Sequence, residues 1–228
     1  MFNEYKYKTE LHAHTTPASG CSQITPEYMV EAYKNGGYTS IALTNHFIIE
    51  EEAISEKKIS TLLNDYKKTK EIGEKAGLNI ILGAEIRFSE NFNDYLIYGI
   101  EEDDLAKIYS LLDFGIDNFY RIYKNDKNII IQAHPFREAC TVANPCSIDG
   151  IEVFNVHPSH NSKIAVAAKF ANEHNKIVTA GTDFHHHGHE CLSAILTKEP
   201  ILDSFMLASV LKSRDYLIEI GGCKVLPY

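Results

Sequence analysis

Short apolar runs alternate with longer amphipathic segments along almost the whole chain, and this alternation constrains the fold more than any other feature. The apolar runs have strand length and are rich in β-branched residues; they occupy residues 39–43, 79–84, 95–99, 128–133, 150–154 and 176–180. The segments between them predict helices at residues 26–34, 52–75, 103–123, 160–174 and 203–212. The pattern predicts an α/β fold of βα units around a parallel sheet, with a barrel or distorted barrel as the leading architecture.

Specific residues mark the ends of the first predicted helix. Thr25 before Pro26 is typical of an N-cap followed by proline in the first turn, and Gly36 with Gly37 indicates the end of the helix. No internal repeat, low-complexity segment or Pro/Ser-rich linker interrupts the chain, and 44% of its residues are hydrophobic. We therefore expect residues 1–228 to form a single domain with one full core.

The charge of the chain argues against two classes of partner. With 22 basic and 31 acidic residues the formal net charge is -9 at pH 7, whereas stable binding to nucleic acid or to an anionic membrane needs clustered Lys and Arg. A small anionic substrate would need a local attraction, which bound metal cations supply. The composition indicates nothing about an oligomeric partner.

The cysteines and the N-terminal residues indicate where the protein resides. Cysteines 21, 140, 146, 191 and 223 form no CxxC pair and no zinc-finger spacing, which is typical of reduced thiols. The first residues lack a basic segment followed by an apolar stretch, and no run approaches the ~18 apolar residues of a membrane span. We expect a cytoplasmic protein.

Residue types that bind metals follow most of the predicted strands. In a parallel barrel the carboxyl ends of the strands meet on one face, so side chains at these positions would share one site. The candidate metal ligands at these positions are His12, His14, His46, Glu85, His134, Asp183 and His185. Residues two apart in an extended strand point to the same side, so the His12–His14 and Asp183–His185 pairs can each face one ion.

The chemistry of these ligands indicates the kind of ion and reaction. Imidazole nitrogens together with carboxylate oxygens suit zinc, manganese or iron, and a carboxylate such as Glu85 can bridge two ions. Bridged ions activate water near neutral pH and neutralise the oxygens of a phosphate under attack. The sequence therefore predicts a metal-dependent hydrolase.

The sequence leaves two interpretations open for several other polar residues. Asp94 precedes a predicted strand and is either a metal ligand or a loop charge. Arg137, three residues after His134, either contacts a phosphate through its planar fork of donors or forms a salt bridge at the start of a helix. The remaining histidines are weaker candidates that are typical of solvent-facing loops: His157, His160, His186, His187 and His189.

The motifs around these residues resemble those of the PHP domain, the polymerase and histidinol phosphatase family, over nearly the whole chain. Four motifs carry the resemblance: ELHAHT at residues 10–15, ALTNH at 42–46, AHPFR at 133–137 and AGTDFH at 180–185. ILGAE at 81–85 and DGIEVFN at 149–155 follow in the expected order. The resemblance implies a distorted (β/α)7, TIM-like barrel that holds two or three divalent ions and hydrolyses phosphate esters.

The resemblance also implies roles for individual residues. A first ion would be held by His12, His14, Glu85 and Asp183. A second ion would share Glu85 and would be held by His134, with help from the neighbourhood of Asp94. His46 and His185 would bind a third ion, or would act catalytically as proton donors to the leaving oxygen of the substrate. Arg137 would be a catalytic phosphate clamp, and Asn155 or His157 could line the substrate entrance.

Four positions depart from the family pattern. The Asp that usually precedes the His-x-His pair is Glu10 here, and the usual Thr-Asp-His reads Thr44-Asn45-His46. After the His-x-His pair many members place an Asp or His that binds the third ion, whereas this chain has Ser19, a poor ligand. Asp94 stands where members often have His, and an oxygen ligand there favours manganese or iron over zinc.

Three functions are compatible with these residues. The first is a phosphomonoesterase or phosphodiesterase that acts on a small phosphorylated metabolite or nucleotide. The second is a metal-binding PHP-like domain without catalysis, which the changes at Asn45 and Ser19 suggest. The third is an amidohydrolase-type metal hydrolase that cleaves C–N bonds, disfavoured because the motifs follow the PHP order. The sequence does not indicate the identity of the substrate.

Overall fold

The structure, a computed structural model, describes residues 2–49 and 55–227. The α-helices in this part of the chain are α1 Pro26–Asn35, α2 Ser55–Ala76, α3 Asp104–Ser110, α4 Gly115–Tyr123, α5 Ile164–Glu173 and α6 Ser204–Ser213. The strands are β1 Tyr7–Ala13, β2 Ser40–Leu43, β3 His46–Ile48, β4 Asn79–Leu82, β5 Ala84–Arg87, β6 Asp94–Tyr98, β7 Ile129–Gln132, β8 Gly150–Asn155, β9 Ile177–Gly181, β10 Ser193–Thr197, β11 Leu217–Ile220 and β12 Cys223–Val225.

The strands form two six-stranded sheets that meet along two seams. One sheet has the order β12-β11-β10-β1-β2-β4 and the other has the order β3-β5-β6-β7-β8-β9. At one seam β4 continues into β5 across Gly83, whose N–H donates to Leu43 O at 3.1 Å. At the other seam Ala13 forms a parallel bridge with Phe184, just beyond β9. When β2–β3 and β4–β5 are each taken as one bent strand, seven strands close into a distorted barrel.

The expectation of a purely parallel sheet is wrong for four strands. β6 runs antiparallel to both β5 and β7, because the short link of residues 88–93 leaves no room for the crossover that parallel strands need. β10, β11 and β12 pair antiparallel outside the ring, where β10 adds to the first half of β1. These three strands were not predicted.

The first predicted helix is confirmed together with its caps. The Thr25 side chain accepts a hydrogen bond from Tyr28 N at 3.3 Å, and Pro26 is the first residue of α1. After the helix, Gly36 N donates to Ala32 O at 2.9 Å, and Gly37 has a φ of 75°. The left-handed backbone at Gly37 is a conformation that glycine adopts without steric cost, and it turns the chain into β2.

Two predicted helices are shorter or more broken than expected. The segment 103–123 divides into α3, a 3-10 turn at Leu112–Phe114, and α4. Gly115 has a φ of 72°, which ends the 3-10 turn, and Glu90 Oε1 then accepts from Ile116 N at 3.0 Å at the start of α4. The segment 160–174 becomes helical only at Ile164, because Lys163 lies in the left-handed region with a φ of 48°.

The remaining predicted helices agree with the structure within the described residues. Helix α2 covers residues 55–76, and the start predicted at Glu52 lies outside the described part of the chain. Helix α6 covers the segment predicted at 203–212, and Asp203 caps it by accepting from Met206 N at 2.7 Å. Among the described helices, none has the length and apolar character that crossing a membrane requires.

The side chains of strand β7 show that the barrel wall lies between two apolar clusters. Ile129, Ile130 and Ile131 are all completely buried. Ile130 packs into a cluster that includes Leu105 and Phe119 of the outer helices, whereas its neighbours in sequence pack into a second cluster with residues of the other strands. The alternation follows from the two-residue period of a strand. Both faces of this wall are apolar, and the polar groups of the candidate site lie at the end of the barrel.

Truncation of one buried isoleucine side chain in this wall should destabilise the fold strongly. Ile130→Ala should lower the free energy of unfolding in urea by about 2–5 kcal/mol, because it removes buried apolar area and leaves a cavity. Ile122 on α4 is 46% exposed, so Ile122→Ala should change the same free energy by about 0.5 kcal/mol or less. Equal losses in the two variants would contradict the placement of Ile130 in the wall.

Candidate metal centre

Eight side chains that the sequence singled out as metal ligands converge at one end of the barrel. They are His12, His14, His46, Glu85, Asp94, His134, Asp183 and His185. Most of them stand at the carboxyl end of a strand or just beyond it, as the pattern predicted. Asp94 instead begins β6, and it reaches the same face because β6 runs antiparallel to its neighbours.

The carboxylate of Glu85 lies at the centre of this cluster. Its Oε1 is 3.2 Å from His12 Nε2 and 3.3 Å from His134 Nε2. Its Oε2 is 3.4 Å from His14 Nε2 and 2.7 Å from His46 Nδ1. Each oxygen thus faces a different pair of imidazoles, so an ion beside His14 and an ion beside His134 could share this carboxylate.

Asp183 approaches the same imidazoles from the opposite side. Its Oδ1 lies 3.5 Å from His12 Nε2 and 3.6 Å from His14 Nε2, and its Oδ2 lies 3.9 Å from His134 Nε2. Asp183 and His134 have φ values of 53° and 28°, and residues with a β-carbon rarely adopt this left-handed backbone. Such conformations cost about 1–3 kcal/mol each and persist mainly at functional sites.

Five atoms at the centre of the cluster are buried and form no hydrogen bond with any described residue: His12 Nε2, His14 Nε2, His46 Nδ1 and both carboxylate oxygens of Glu85. Buried polar atoms in folded proteins are nearly always paired. Each of these residues offers a ligand atom that lies within 4.8 Å of two others in the cluster. Their nitrogen and oxygen chemistry therefore fits divalent cations.

The ligand atoms form four overlapping groups in which all three atoms lie within 4.8 Å of one another. The groups are His12–His14–Glu85, His12–His134–Asp183, Glu85–Asp94–His134 and His14–His46–His185. Because His12, His14, Glu85 and His134 each belong to two groups, the cluster can accommodate several ions at short separation.

Glu152 holds the side chain of His12 and the backbone of His134, and the sequence did not indicate this role. Its Oε1 lies 2.8 Å from His12 Nδ1, and its Oε2 accepts from the backbone N–H of His134 at 3.0 Å. A carboxylate on the far nitrogen fixes the orientation of an imidazole and increases its basicity. A side chain at Gly181 would clash here, since a β-carbon would lie 2.1 Å from Glu152 Oε1. The only sequence signal was a glutamate within an apolar strand.

Glu10 joins the ends of β1 and β9. Its Oε1 accepts from the backbone N–H groups of Leu11, His12 and Thr182, each at 3.0 Å. Its Oε2 accepts from the hydroxyls of Tyr33 at 3.0 Å and Thr182 at 2.5 Å. These five hydrogen bonds satisfy a completely buried carboxylate, so Glu10 positions the two metal-facing segments rather than facing the centre itself.

Asn45 and Ser19 act as positioning residues in the same way. Asn45 Oδ1 accepts from Thr15 N at 2.8 Å and from Ser19 Oγ at 2.9 Å. Ser19 Oγ in turn lies 3.1 Å from His14 Nδ1 and accepts from His46 N at 2.9 Å. The two departures from the family pattern thus connect the loop after β1 to the junction of β2 and β3.

The charges of the cluster shift several pKa values. Burial lowers the pKa of His12, but the carboxylates of Glu152, Asp183 and Glu85 outweigh burial and raise it well above its usual value. Burial opposes ionisation of Glu85, yet His12 and His46 lower its pKa well below the usual range. The pKa of His14 is lowered well below its usual value by burial and by His185 and His46. The cluster thus mixes ionised carboxylates with imidazoles of opposite tendencies.

A cavity of about 300 Å³ opens above the cluster. Its walls carry two arginines that are held by carboxylates of the site. Arg137 Nη2 donates to Asp183 Oδ2 at 2.6 Å and to Asn155 Oδ1 at 2.9 Å. Arg87 donates to both oxygens of Asp94 at 2.8 Å. No helix begins at Arg137, which lies in a turn after β7, so its salt bridge is with the site and not with a helix start.

The weaker histidine candidates divide between the cavity wall and the loop beyond it. His157, His160 and His186 line the cavity, whereas the ring of His187 packs edge-on against Tyr28 with 4.2 Å between centroids. His189 contacts the ring of His157 at 5.4 Å. Cys21 is among the wall residues that the sequence missed. The pKa of its thiol is lowered to about 6: burial opposes this shift, and His185 and His46 outweigh it.

Comparison with solved structures finds the same fold at low sequence identity. A two-domain protein from Bacteroides vulgatus ATCC 8482 that contains a predicted PHP-like metal-dependent phosphoesterase matches with a TM-score of 0.63 and 19% identity, over 96% of this chain and 66% of that one. The chain thus spans about two thirds of that protein.

Two further structures extend the comparison. A protein from Bifidobacterium adolescentis ATCC 15703, provisionally assigned as a metal-dependent phosphoesterase, matches with a TM-score of 0.53 and 16% identity, over 90% of this chain and 95% of that one. An amidohydrolase from Chromobacterium violaceum with bound sulfate matches with a TM-score of 0.50 and 15% identity, over 80% of this chain and 89% of that one. At these identities the likeness concerns the fold alone.

Sequence comparison identifies the family. No curated protein matches the chain, but the model of the PHP domain matches residues 10–193. That range includes all eight side chains of the cluster, and the structural likeness confirms the predicted distorted (β/α)7 barrel. The chain therefore belongs to the PHP domain family.

Proposed function

We propose that the chain is a metal-dependent phosphoesterase that hydrolyses a small phosphorylated metabolite or nucleotide. One observation carries the proposal: the buried Glu85 carboxylate faces four imidazoles, and neither of its oxygens has a hydrogen-bond partner within the described chain. The names of two structural relatives support the reaction class: one contains a predicted PHP-like metal-dependent phosphoesterase, and the other is provisionally assigned as a metal-dependent phosphoesterase.

The four groups of ligand atoms suggest how the ions would be shared. A first ion would be held by His12, His14, Glu85 and Asp183, and a second by Glu85, Asp94 and His134. Glu85 would bridge the two. Zinc, manganese and iron all suit this mixture of imidazole and carboxylate ligands. When bound, such ions lower the pKa of a coordinated water and neutralise the oxygens of the phosphate.

Arg137 is the proposed phosphate clamp. Its Nη2 is held by Asp183 and Asn155, which fixes the plane of the guanidinium at the cavity wall and directs its remaining donors. A planar fork of donors recognises two phosphate oxygens at once. Because the net charge of the chain is -9, a local cation of this kind is needed to attract an anionic substrate.

His46 and His185 have two possible roles that exclude each other, because both roles use the same ring nitrogens. The pKa of His46 is raised to about 10, since Glu85 and Cys21 outweigh the effect of burial, and that of His185 is raised to about 9 by Asp183 and Cys21 in the same way. Protonated rings could donate to the leaving oxygen. Deprotonated rings could instead hold a third ion.

The size of the cavity restricts the substrate. A volume of about 300 Å³ is at the lower end of the range for small-molecule sites. One phosphate group with a compact organic part fits this space. A folded protein substrate could not reach the buried carboxylates at the floor of the cavity. The proposed substrates are therefore small phosphate esters.

An amidohydrolase is the second candidate, because the barrel also resembles the amidohydrolase from Chromobacterium violaceum. A metal-holding domain without catalysis is the third. A panel of sugar, nucleotide and amino-alcohol phosphates, assayed for inorganic phosphate with added manganese, zinc or iron, separates the three. Phosphate release supports the phosphoesterase, cleavage of amides alone supports the amidohydrolase, and background rates with bound metal support the third candidate.

The metal content of the purified protein should depend on His134. Elemental analysis of the wild type should find two or more divalent ions per chain, and His134→Ala should lose about one of them because it removes a ligand of the second ion. His174 is exposed at the end of α5, so His174→Ala should retain the wild-type content. A wild-type metal content in His134→Ala, together with absence of turnover in every metal-loaded preparation, would refute the proposal.

Arg137→Ala should lower kcat/KM for the best phosphate ester by about 100-fold, the usual effect of removing a donor that stabilises developing charge. The matched control is Arg121→Ala, since Arg121 is exposed on α4 and bonds only to Asn118 in the described structure. Metal content should be measured in both variants, because Arg137 also contacts Asp183. An unchanged kcat/KM in Arg137→Ala would exclude it as the phosphate clamp.

Metal binding should weaken as the pH falls. The pKa of His134 is raised to about 10, because contacts with Cys140 and Glu85 outweigh burial, so its ring holds a proton at neutral pH that a metal must displace. Affinity for Mn²⁺ should therefore rise from pH 6 to pH 8, by up to about tenfold per pH unit for each proton released. Calorimetry in buffers of different ionisation enthalpy should detect the released protons; a pH-independent affinity would contradict this expectation.

A further inference from the structure

Cys21 lies beside two histidines whose role the proposed reaction leaves open. It belongs to the loop between β1 and α1, on the exposed rim of the cavity. It lines the cavity together with His46 and His185, and the pKa of its thiol is lowered to about 6, because the effects of His185 and His46 outweigh burial. A thiol next to two imidazoles is a common start of a metal site, since zinc binds both ligand types.

A second, independent observation points to a cation at this place. His14, His46 and His185 offer ligand atoms within 4.8 Å of one another. His14 is completely buried, and its Nε2 has no hydrogen-bond partner in the described part of the chain. Its ring lies 4.1 Å from that of His185 and 4.5 Å from that of His46, so the three imidazoles crowd one small volume.

The loop that carries Cys21 is fixed relative to these imidazoles. Gln23 N donates to His185 O at 2.9 Å, and Ser22 Oγ donates to His14 O at 3.0 Å. Ser22 N also donates to Ser19 O at 3.0 Å. The loop at Cys21 is therefore held between two segments that each carry a histidine of the group.

We propose that Cys21 completes a third metal site with His46 and His185, and that its thiolate makes this site selective for zinc. The proposal rests on the proposed function, because the third ion would stand beside the two that Glu85 bridges. It supplies the ligand that Ser19 cannot, two residues further along the same loop. Soft thiolate selects zinc over manganese, and the assignment gives His46 and His185 to the ion rather than to proton transfer.

Cobalt substitution tests the site without reference to activity. Wild-type protein loaded with Co²⁺ should show thiolate-to-cobalt charge-transfer absorption in the near ultraviolet, and Cys21→Ser should lose this band. Cys21→Ser should also lose one equivalent of tightly bound cobalt, with at least ~10-fold weaker affinity at the third site. Cys223 is exposed on β12, so Cys223→Ser should keep both the band and the stoichiometry.

Alkylation provides a second measurement on the unmodified chain. Zn²⁺ should slow the reaction of Cys21 with iodoacetamide by at least ~10-fold, while the exposed Cys223 reacts equally fast with and without the metal. Peptide mass spectrometry identifies the modified residue in each case. Equal alkylation of Cys21 in the two conditions would overturn the proposal.

The outcomes of these experiments separate this inference from the proposed function. If the wild type binds two cobalt ions and releases phosphate but shows no thiolate band, the third site is refuted and the phosphoesterase remains. If the band persists in Cys21→Ser and disappears in Cys140→Ser, the thiol beside His134 is the ligand and the proposal fails. If the band depends on Cys21 yet no phosphate ester is hydrolysed, the site stands and the proposed function fails.

Discussion

The Glu85 carboxylate, buried among four imidazoles, is the interaction on which the rest of this end of the barrel depends. Both of its oxygens lie within 3.4 Å of imidazole nitrogens, yet neither forms a hydrogen bond of good geometry within the described chain. An uncompensated buried carboxylate destabilises a fold by several kcal/mol, on the order of what breaking a buried ion pair costs. Shared cations would offset this cost, and the residues around Glu85 offer the ligand atoms that could hold them.

A layer of hydrogen bonds behind the ligands keeps them in place. Glu10 connects β1 to the segment after β9, Glu152 orients His12 and anchors the backbone of His134, and Asn45 connects the loop after β1 to the start of β3. Two of these residues differ from the family pattern. Both accept hydrogen bonds from backbone N–H groups at or next to the histidines of β1, so each of them positions candidate ligands.

Much of the fold and of the site could be predicted because both follow from short-range patterns. The strand runs and the spacing of His12 with His14 depend only on neighbouring residues, and strand ends in a barrel share one face. Long-range pairing is not encoded in this way. The antiparallel direction of β6, which brings Asp94 to the site, depends on a tight link, and the break at Gly115 depends on a contact with Glu90. Cys21 was not predicted as a site residue, because a single cysteine in a loop forms no periodic pattern.

Crystals of the protein grown with Mn²⁺ would test the central claim most directly through the anomalous scattering of the metal. The account predicts two anomalous peaks, one on each side of the Glu85 carboxylate and each about 2.0–2.2 Å from one of its oxygens. One peak should lie beside His14, next to Oε2, and the other beside His134, next to Oε1. Absence of any peak near Glu85, or metal bound only at other surfaces of the chain, would contradict the account.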